Sequence, residues 1–465
     1  MPSKNRPGRS GIWISSGSLI LPGYEKPVKG EITLSGGKIE DIFLKKRAGI
    51  SSRRGYDNID ASGRIVSPAF YDSHMHFTQW SVSRLAVDLS NCTSWEMIIE
   101  RMKTEYESTE DNSLLSLTGL LVGVDYDDSL FKFNIPPQIH ILDSLFGDTP
   151  TLIRRVCGHI ALANSSYLCK VKAPRLNFKD GILIDGKGID LAWSIPMTPE
   201  SLSRCLLSGK DELYKMGVIG GLEVIKEDQL ISFRRAYEKA GFGLRLGLSV
   251  MEEGMKLSGD INTDVENRTN IDMISQPPIL FSKIFLDGSI GAKTAAVWNK
   301  YTDGKEITPS FRVNDLTDRM IDTENRGLIP MLHAIGGRAV DLAIMSSMGL
   351  KWPVRIEHAL EFRDPAMMVA SELKTRVCMQ PNFSLRWGLK GGLYERSLGG
   401  QYLNLNRFRS LIKRKIPLCF GTDMMPPGPL KALSGALNHP NPVERLGIVE
   451  GIRCFTERSY KNSML

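Results

Sequence analysis

The sequence has no apolar run approaching the roughly 18 residues that a membrane-spanning helix needs. Paired cysteines are also missing. Seven stand singly, at positions 92, 157, 169, 205, 378, 419 and 454, without a CxxC spacing. An odd, unpatterned set predicts reduced, mostly buried thiols and excludes both a disulfide framework and a thiolate zinc site. Nor does one sign of charge dominate: 59 basic and 52 acidic residues are spread along the chain, a formal net charge of +7. Knots such as Lys413-Arg414-Lys415 read as solvated helix faces rather than a nucleic-acid footprint. The charge supports a mild attraction for anionic substrates and nothing stronger. The basic start Met1-Pro2-Ser3-Lys4-Asn5-Arg6 leads into Gly11-Ile12-Trp13-Ile14, which breaks at once into Ser and Gly, unlike a secretory signal. These absences predict a cytoplasmic protein acting on a small molecule, with neither nucleic acid nor membrane as partner.

What is present fits a sizeable globular fold. The 465 residues leave room for one domain of α/β-barrel size and a small appendage. The hydrophobic share of 42% is ordinary for a packed protein. Residues 11–20, 30–35 and 38–44 read as strands, with Gly36-Gly37 supplying a hairpin turn between two of them. From Val66 onward, short β-branched runs alternate with longer amphipathic segments, the pattern of βα units around a parallel sheet. Strands are expected at 65–71, 218–225, 244–250, 280–286, 328–333, 354–357, 377–379 and 417–420. Helices are expected at 94–105, 199–215, 230–239, 338–348, 364–373 and 443–456. The resulting division is a β-strand appendage over 1–65 and a barrel over 66–465, with room for an insertion within 112–195.

The densest chemistry lies in Asp72-Ser73-His74-Met75-His76, after the apolar run Ile65-Val66-Ser67-Pro68-Ala69-Phe70-Tyr71. Strand side chains alternate faces, so His74 and His76 project to one side as two nitrogen ligands suited to zinc or a similar metal. Later strands end on further candidate ligands. Lys283 lies inside the run Leu280-Phe281-Ser282-Lys283, followed by Asp287, while His333, His358 and Asp423 close three other strands. In a (β/α)₈ barrel the C-terminal ends of different strands converge on one rim, so residues hundreds of positions apart can meet around an ion. For His140 and His439 an ordinary surface or core histidine is the preferred reading.

These residues resemble the amidohydrolase superfamily, in particular its YtcJ-like branch (amidohydrolase family 3), which includes N-substituted formamide deformylases. The matching pieces run in family order. They are Ser67 to His76, Gly158-His159 with Ala163-Asn164-Ser165, Lys283 to Gly291 with Thr294-Ala295, and His333-Ala334-Ile335-Gly336. Ile356-Glu357-His358, Gln380-Pro381, Gly421-Thr422-Asp423 and Glu444-Arg445-Leu446 complete the series. The resemblance implies an α/β fold with a TIM-type barrel and a small N-terminal sheet. It implies one or two divalent metal ions, most often zinc, bound or faced by His74, His76, His333, His358 and Asp423. Lys283 would serve as a carbamate ligand, since burial favours the neutral amine that CO₂ requires; snorkelling to the rim or pairing with Asp287 is the competing role.

The activity implied is hydrolysis of a C–N bond in an amide, N-substituted formamide or cyclic amide by metal-activated water. Asp423 would move the proton, and His159 or His333 would polarise the carbonyl. A structural histidine is the other reading of His159. Glu357 and Asp72 would orient ligands or be surface charges. Arg386 would meet an anionic group or form a rim ion pair. Two departures stand out. Gly337 occupies a position where the family usually has Asp, and the strands with which relatives complete a small C-terminal β-sandwich are missing. The N-terminal sheet is then expected to be covered by another element or subunit, favouring a homo-oligomer. Both departures also feed the alternative of a non-catalytic, ligand-binding or regulatory member.

Overall fold

The computed structural model describes residues 11–44, 53–108, 111, 113–128, 131–132, 135–156, 160–172, 180–184, 195, 197–241, 243–251 and 277–464. By contacts the chain divides into two compact units: Met1–His74, Gly217–Gly221 and Ile284–Leu465 form one, Met75–Met216 and Leu222–Lys283 the other.

The N-terminal sheet contains β1 (Gly11–Leu19), β2 (Val28–Ser35), β3 (Lys38–Phe43), β4 (Tyr56–Asp60) and β5 (Ile65–Val66). Its order is β3-β2-β1-β4, with β5 beside β1. The β2–β3 turn is built by Gly36 and Gly37, both at positive φ (56° and 74°), which matches the right-handed twist of the flanking strands. The apolar run 65–71 is not one strand. Ile65 and Val66 pair in parallel with Ser18 and Leu19 of the N-terminal sheet, and the first barrel strand, β6 (Phe70–Met75), begins after Pro68.

Between β6 and the next barrel strand the chain builds a second sheet. It comprises β7 (Val87–Asp88), β8 (Leu121–Tyr126), β9 (Thr151–Arg155), β10 (Ile160–Ala163) and β11 (Ile182–Ile184), in the order β11-β10-β9-β8-β7. The helix Trp95–Tyr106, capped by Ser94, buries Trp95, Ile98 and Met102 against Leu121, Tyr126 and Ile153 of this sheet. Gly123 permits the approach, since a Cβ there would stand 2.7 Å from the Met102 sulfur.

The barrel sheet holds β6, β12 (Val218–Lys226), β13 (Arg245–Met251), β14 (Ile279–Phe285), β15 (Ile329–Ala334), β16 (Arg355–His358), β17 (Arg376–Met379) and β18 (Leu418–Phe420), in chain order across the sheet. It is a nearly closed parallel (β/α)₈ barrel. Every residue of β6 and β16 is buried, as parallel strands covered on both faces require. The helix Pro199–Lys215 has Thr198 as cap, proline in its first turn, Glu200 near its positive end and Lys215 near its negative end. Among the described residues no strand follows β18. The expected helix 443–456 is instead a short 3₁₀ turn, Pro442–Glu444, and two helices, Ile448–Cys454 and Glu457–Met464. These segments serve the barrel's first and last strands: Tyr71 N donates to Phe455 O at 2.7 Å, and Ser459 Oγ donates to Phe420 O at 3.1 Å. Among the described residues no helix is long and apolar enough to cross a membrane.

Candidate metal centre

Asp72 and His74 lie two residues apart on β6 and so share a face. Asp72 is buried rather than a surface charge, and its carboxylate accepts from His74 N (3.2 Å), Thr422 N (2.9 Å) and Thr422 Oγ1 (2.6 Å). Burial pushes its carboxyl up to about 7, against the opposing pull of these hydrogen bonds. Asp423 N donates to His74 O at 2.8 Å, so the loop after β18 is laced to the end of β6. Gly421 makes the approach possible, because a Cβ there would lie 2.5 Å from His74 N.

The two ring nitrogens of His74 have different tasks. Nδ1 is bonded to Glu357 Oε2, and an ionised carboxylate only accepts, so Nδ1 carries the proton and Nε2 keeps its lone pair. Nε2 stands 3.5 Å from Asp423 Oδ1. Behind Glu357 lies Arg355, fully buried, whose Nε donates to Glu357 Oε1 at 2.6 Å and whose Nη2 donates to Ser73 O. Burial alone would lower the arginine's pKa; Glu357 beside it, with Cys378 and Cys419, reverses the effect and raises it. His358 is fixed in the same way, its Nδ1 donating to Gln380 Oε1 at 2.8 Å.

His74, His358 and Asp423 therefore offer two imidazole nitrogens and a carboxylate oxygen, all within 4.8 Å of one another. This donor set suits a divalent ion, and the carboxylate–histidine backing is the arrangement that orients metal-binding imidazoles. His358 (φ 69°) and Asp423 (φ 55°) both hold left-handed backbone conformations, which non-glycine residues adopt at a cost and which concentrate at functional sites.

His333, at the end of β15, lies ring to ring with His358 (centroids 4.5 Å apart), and its Nε2 donates to Gly288 O at 3.2 Å. Asp287, 3.9 Å from that nitrogen, accepts from Ala296, Ile335 and Gly336 N and so joins the loop after β14 to the end of β15. Burial pushes its carboxyl up to about 6, while those backbone bonds oppose the shift. At Gly337, a Cβ would stand 2.2 Å from Trp298 Cδ1 and 2.9 Å from Glu361 Oε2. Glu361 Oε2 accepts from Gly337 N and Trp298 N, supplying a carboxylate where position 337 itself carries none.

The other residues singled out by the sequence are held by neighbours of their own. His76 is the residue before the helix Phe77–Ser83, whose first two N–H groups donate to Glu223, and Lys283 is buried in β14 beside Met251; both belong to the second unit. His159 lies outside the described residues. Arg386 rests over the Trp387 ring at 5.2 Å. His140 is exposed on the helix Ile139–Phe146, and His439 is a buried, hydrogen-bonded histidine. Arg355 was not anticipated. Its signal was available in Val354-Arg355-Ile356-Glu357, where opposite charges two apart on an apolar strand must share a face.

The sequence profile described as "Amidohydrolase family" matches residues 57–460. The chain belongs to the amidohydrolase family. This amidohydrolase is 25% identical over 450 residues to YtcJ of Bacillus subtilis (strain 168), named as an amidohydrolase, an alignment covering 87% of this chain and 80% of that one. Its fold is that of an uncharacterized metal-dependent hydrolase from Pyrococcus horikoshii OT3, with a TM-score of 0.78 at 24% identity, covering 98% and 93% of the two chains. The corresponding protein from Pyrococcus furiosus gives a TM-score of 0.76 at 21% identity, covering 97% and 94%. Family membership makes this amidohydrolase a hydrolase, and the His74, His358 and Asp423 group is its candidate site for a divalent metal.

Proposed function

We propose that the chain hydrolyses the C–N bond of a small amide, N-substituted formamide or cyclic amide, using zinc held by His74, His358 and Asp423. His76, His333 and a carboxylated Lys283 complete the proposed ligand set. The convergence of two oriented imidazoles and one carboxylate at the ends of β6, β16 and β18 carries this reading. When bound, the metal supplies a Lewis acid and brings the pKa of water near neutrality. Glu357 and Gln380 hold His74 and His358 in the tautomer that presents Nε2. Asp423, whose side chain retains 12% of its exposure while His74 keeps 1%, is the member of the group that substrate can reach. Its carboxylate takes a proton from the attacking water and returns it to the departing nitrogen. His159 is the proposed partner for the scissile carbonyl oxygen. The non-catalytic alternative drew support from Gly337, which Trp298 and Glu361 now account for sterically and electrostatically.

The test combines metal analysis with an activity screen on N-formyl amines, N-acyl amines and cyclic amides. Wild-type protein is expected to carry zinc and turn over one of these classes. Asp423→Asn should lose roughly a hundred- to ten-thousand-fold in kcat, the usual worth of a positioned general base, while keeping most of its metal. A wild type that takes up no metal when zinc is supplied would sink the proposal.

A further inference from the structure

The N-terminal sheet carries a largely aliphatic face that is exposed on three of its strands, while Ile32 at its middle is buried. Register places Ile42 beside Ile32, Ile32 beside Ile14, and Ile14 beside Ile59, so a row of four isoleucines crosses the full width of the sheet. The next row is Ile39, Leu34, Ile12 and Asp57, brought into line by the register shift between Thr33 and Leu34. Laterally paired residues project to the same face. Ile12, Ile39, Ile42 and Ile59 remain 40%, 59%, 41% and 49% exposed. An isolated exposed isoleucine needs no explanation, but a contiguous aliphatic face on the order of 400 Å² is the size that marks an interaction site.

We propose that this face is the contact surface of a homodimer, covered by the same face of a second copy of this chain. Three observations choose that occupant. First, the two rows contain no charge except Asp57 at one corner, so identical faces can meet without opposing like charges. Second, the sheet's edges are guarded: β3 exposes Lys38, Glu40 and Asp41, and β4 exposes Asp57 and Asp60. Charged edges discourage the addition of another strand and leave face-on packing as the open mode. Third, the area is sufficient. Two such faces stacked about 10 Å apart form a small β-sandwich. Their combined apolar area, of the order of 800 Å², needs only a polar rim to reach the roughly 1,200 Å² of a specific interface. A two-fold axis through the face makes the contact isologous, closing the assembly at two copies.

The test uses the full-length, metal-loaded protein in sedimentation and light scattering, from sub-micromolar to tens of micromolar. A dimer is expected. Ile39→Lys and Ile59→Lys, on opposite edge strands, should each raise the dimer dissociation constant by at least about 30-fold, as for an interface hot spot. Circular dichroism should leave their folded spectra unchanged, and the milder Ile39→Ser and Ile59→Ser should weaken the dimer in the same direction. Ile231→Lys, at an equally exposed isoleucine on the helix Leu230–Ala240, is the control and should leave the dimer intact. A wild type that stays monomeric over the whole range overturns the inference. So does a dimer that neither lysine variant weakens.

Discussion

A fully buried arginine must be matched, and at Arg355 the match is also what orients the candidate metal centre. Its guanidinium binds Glu357, and Glu357 accepts from Nδ1 of His74, so one chain of charge-assisted hydrogen bonds runs from the barrel interior to the His74 ring. Removing one partner of a buried pair strands the other, whereas replacing both with apolar groups costs far less. Arg355→Met is therefore expected to destabilise the fold by about 3–5 kcal/mol, read as a drop in the urea midpoint. Adding Glu357→Leu should recover much of that stability. The same double variant should bind metal about 10- to 100-fold more weakly, because His74 loses the carboxylate that fixes its tautomer. If Arg355→Met is as stable as wild type, the pair does not hold the interior together. If the double variant binds metal normally, it does not orient the centre.

At the scale of elements, loop packing decides what the sequence at Gly337 can tolerate. The helix Gly337–Ser346 begins under the Trp298 ring, and Arg363 lies over the same ring at 3.4 Å. Glu361 ties both loop strands together through the Gly337 and Trp298 N–H groups. Gly337→Asp puts its Cβ into Trp298 and a second carboxylate beside Glu361. Overpacking of this kind costs about 1–3 kcal/mol, so its melting temperature should fall, and Trp298→Ala in the same chain should restore part of the loss. An unchanged melting temperature would show that the loop yields freely.

Much of this framework could be read in advance from short apolar runs bounded by turn residues. The seven barrel strands after the first lie within about two residues of expectation, and the helix Pro199–Lys215 matches at both ends. The first strand was displaced because Ile65–Val66 and the start of Phe70–Met75 lie in one apolar run, and only pairing with Ser18 and Leu19 separates them. Leu121–Tyr126 and Thr151–Arg155 look like barrel strands locally. Their pairing with each other and with the neighbouring strands β7 and β10 is what puts them in another sheet. Within the candidate site, the placement of His74, His358 and Asp423 near strand ends was legible. Their orientation by Arg355 and Gln380 was not, because it depends on side chains meeting across strands.

Across the whole molecule, stability is expected to depend on pH through a histidine away from the metal centre. His439 is buried, packs edge-on against Phe408 (5.5 Å), and accepts from Asn441 N at Nδ1 (3.1 Å). Protonation would exchange that bond for one from Nδ1 to Asn441 O, also at 3.1 Å, so burial is what disfavours the charge. Burial is the main reason its pKa is lowered from 6.5; the Asn441 and Leu405 backbones and Glu444 pull the other way, and Arg445 adds to the lowering. The unfolded chain thus takes up a proton at this histidine at a higher pH than the folded one does. Its contribution to stability is complete above about pH 6.5 and is lost as the pH falls toward the folded pKa, where the native state finally binds the proton too. Urea midpoints of wild type and His439→Gln, measured from pH 7.5 down to 5, separate this residue from the metal ligands, because both chains carry the same centre. The wild-type midpoint should fall more steeply below pH 6.5 than that of His439→Gln. Parallel profiles would mean that His439 titrates alike in the folded and unfolded chains.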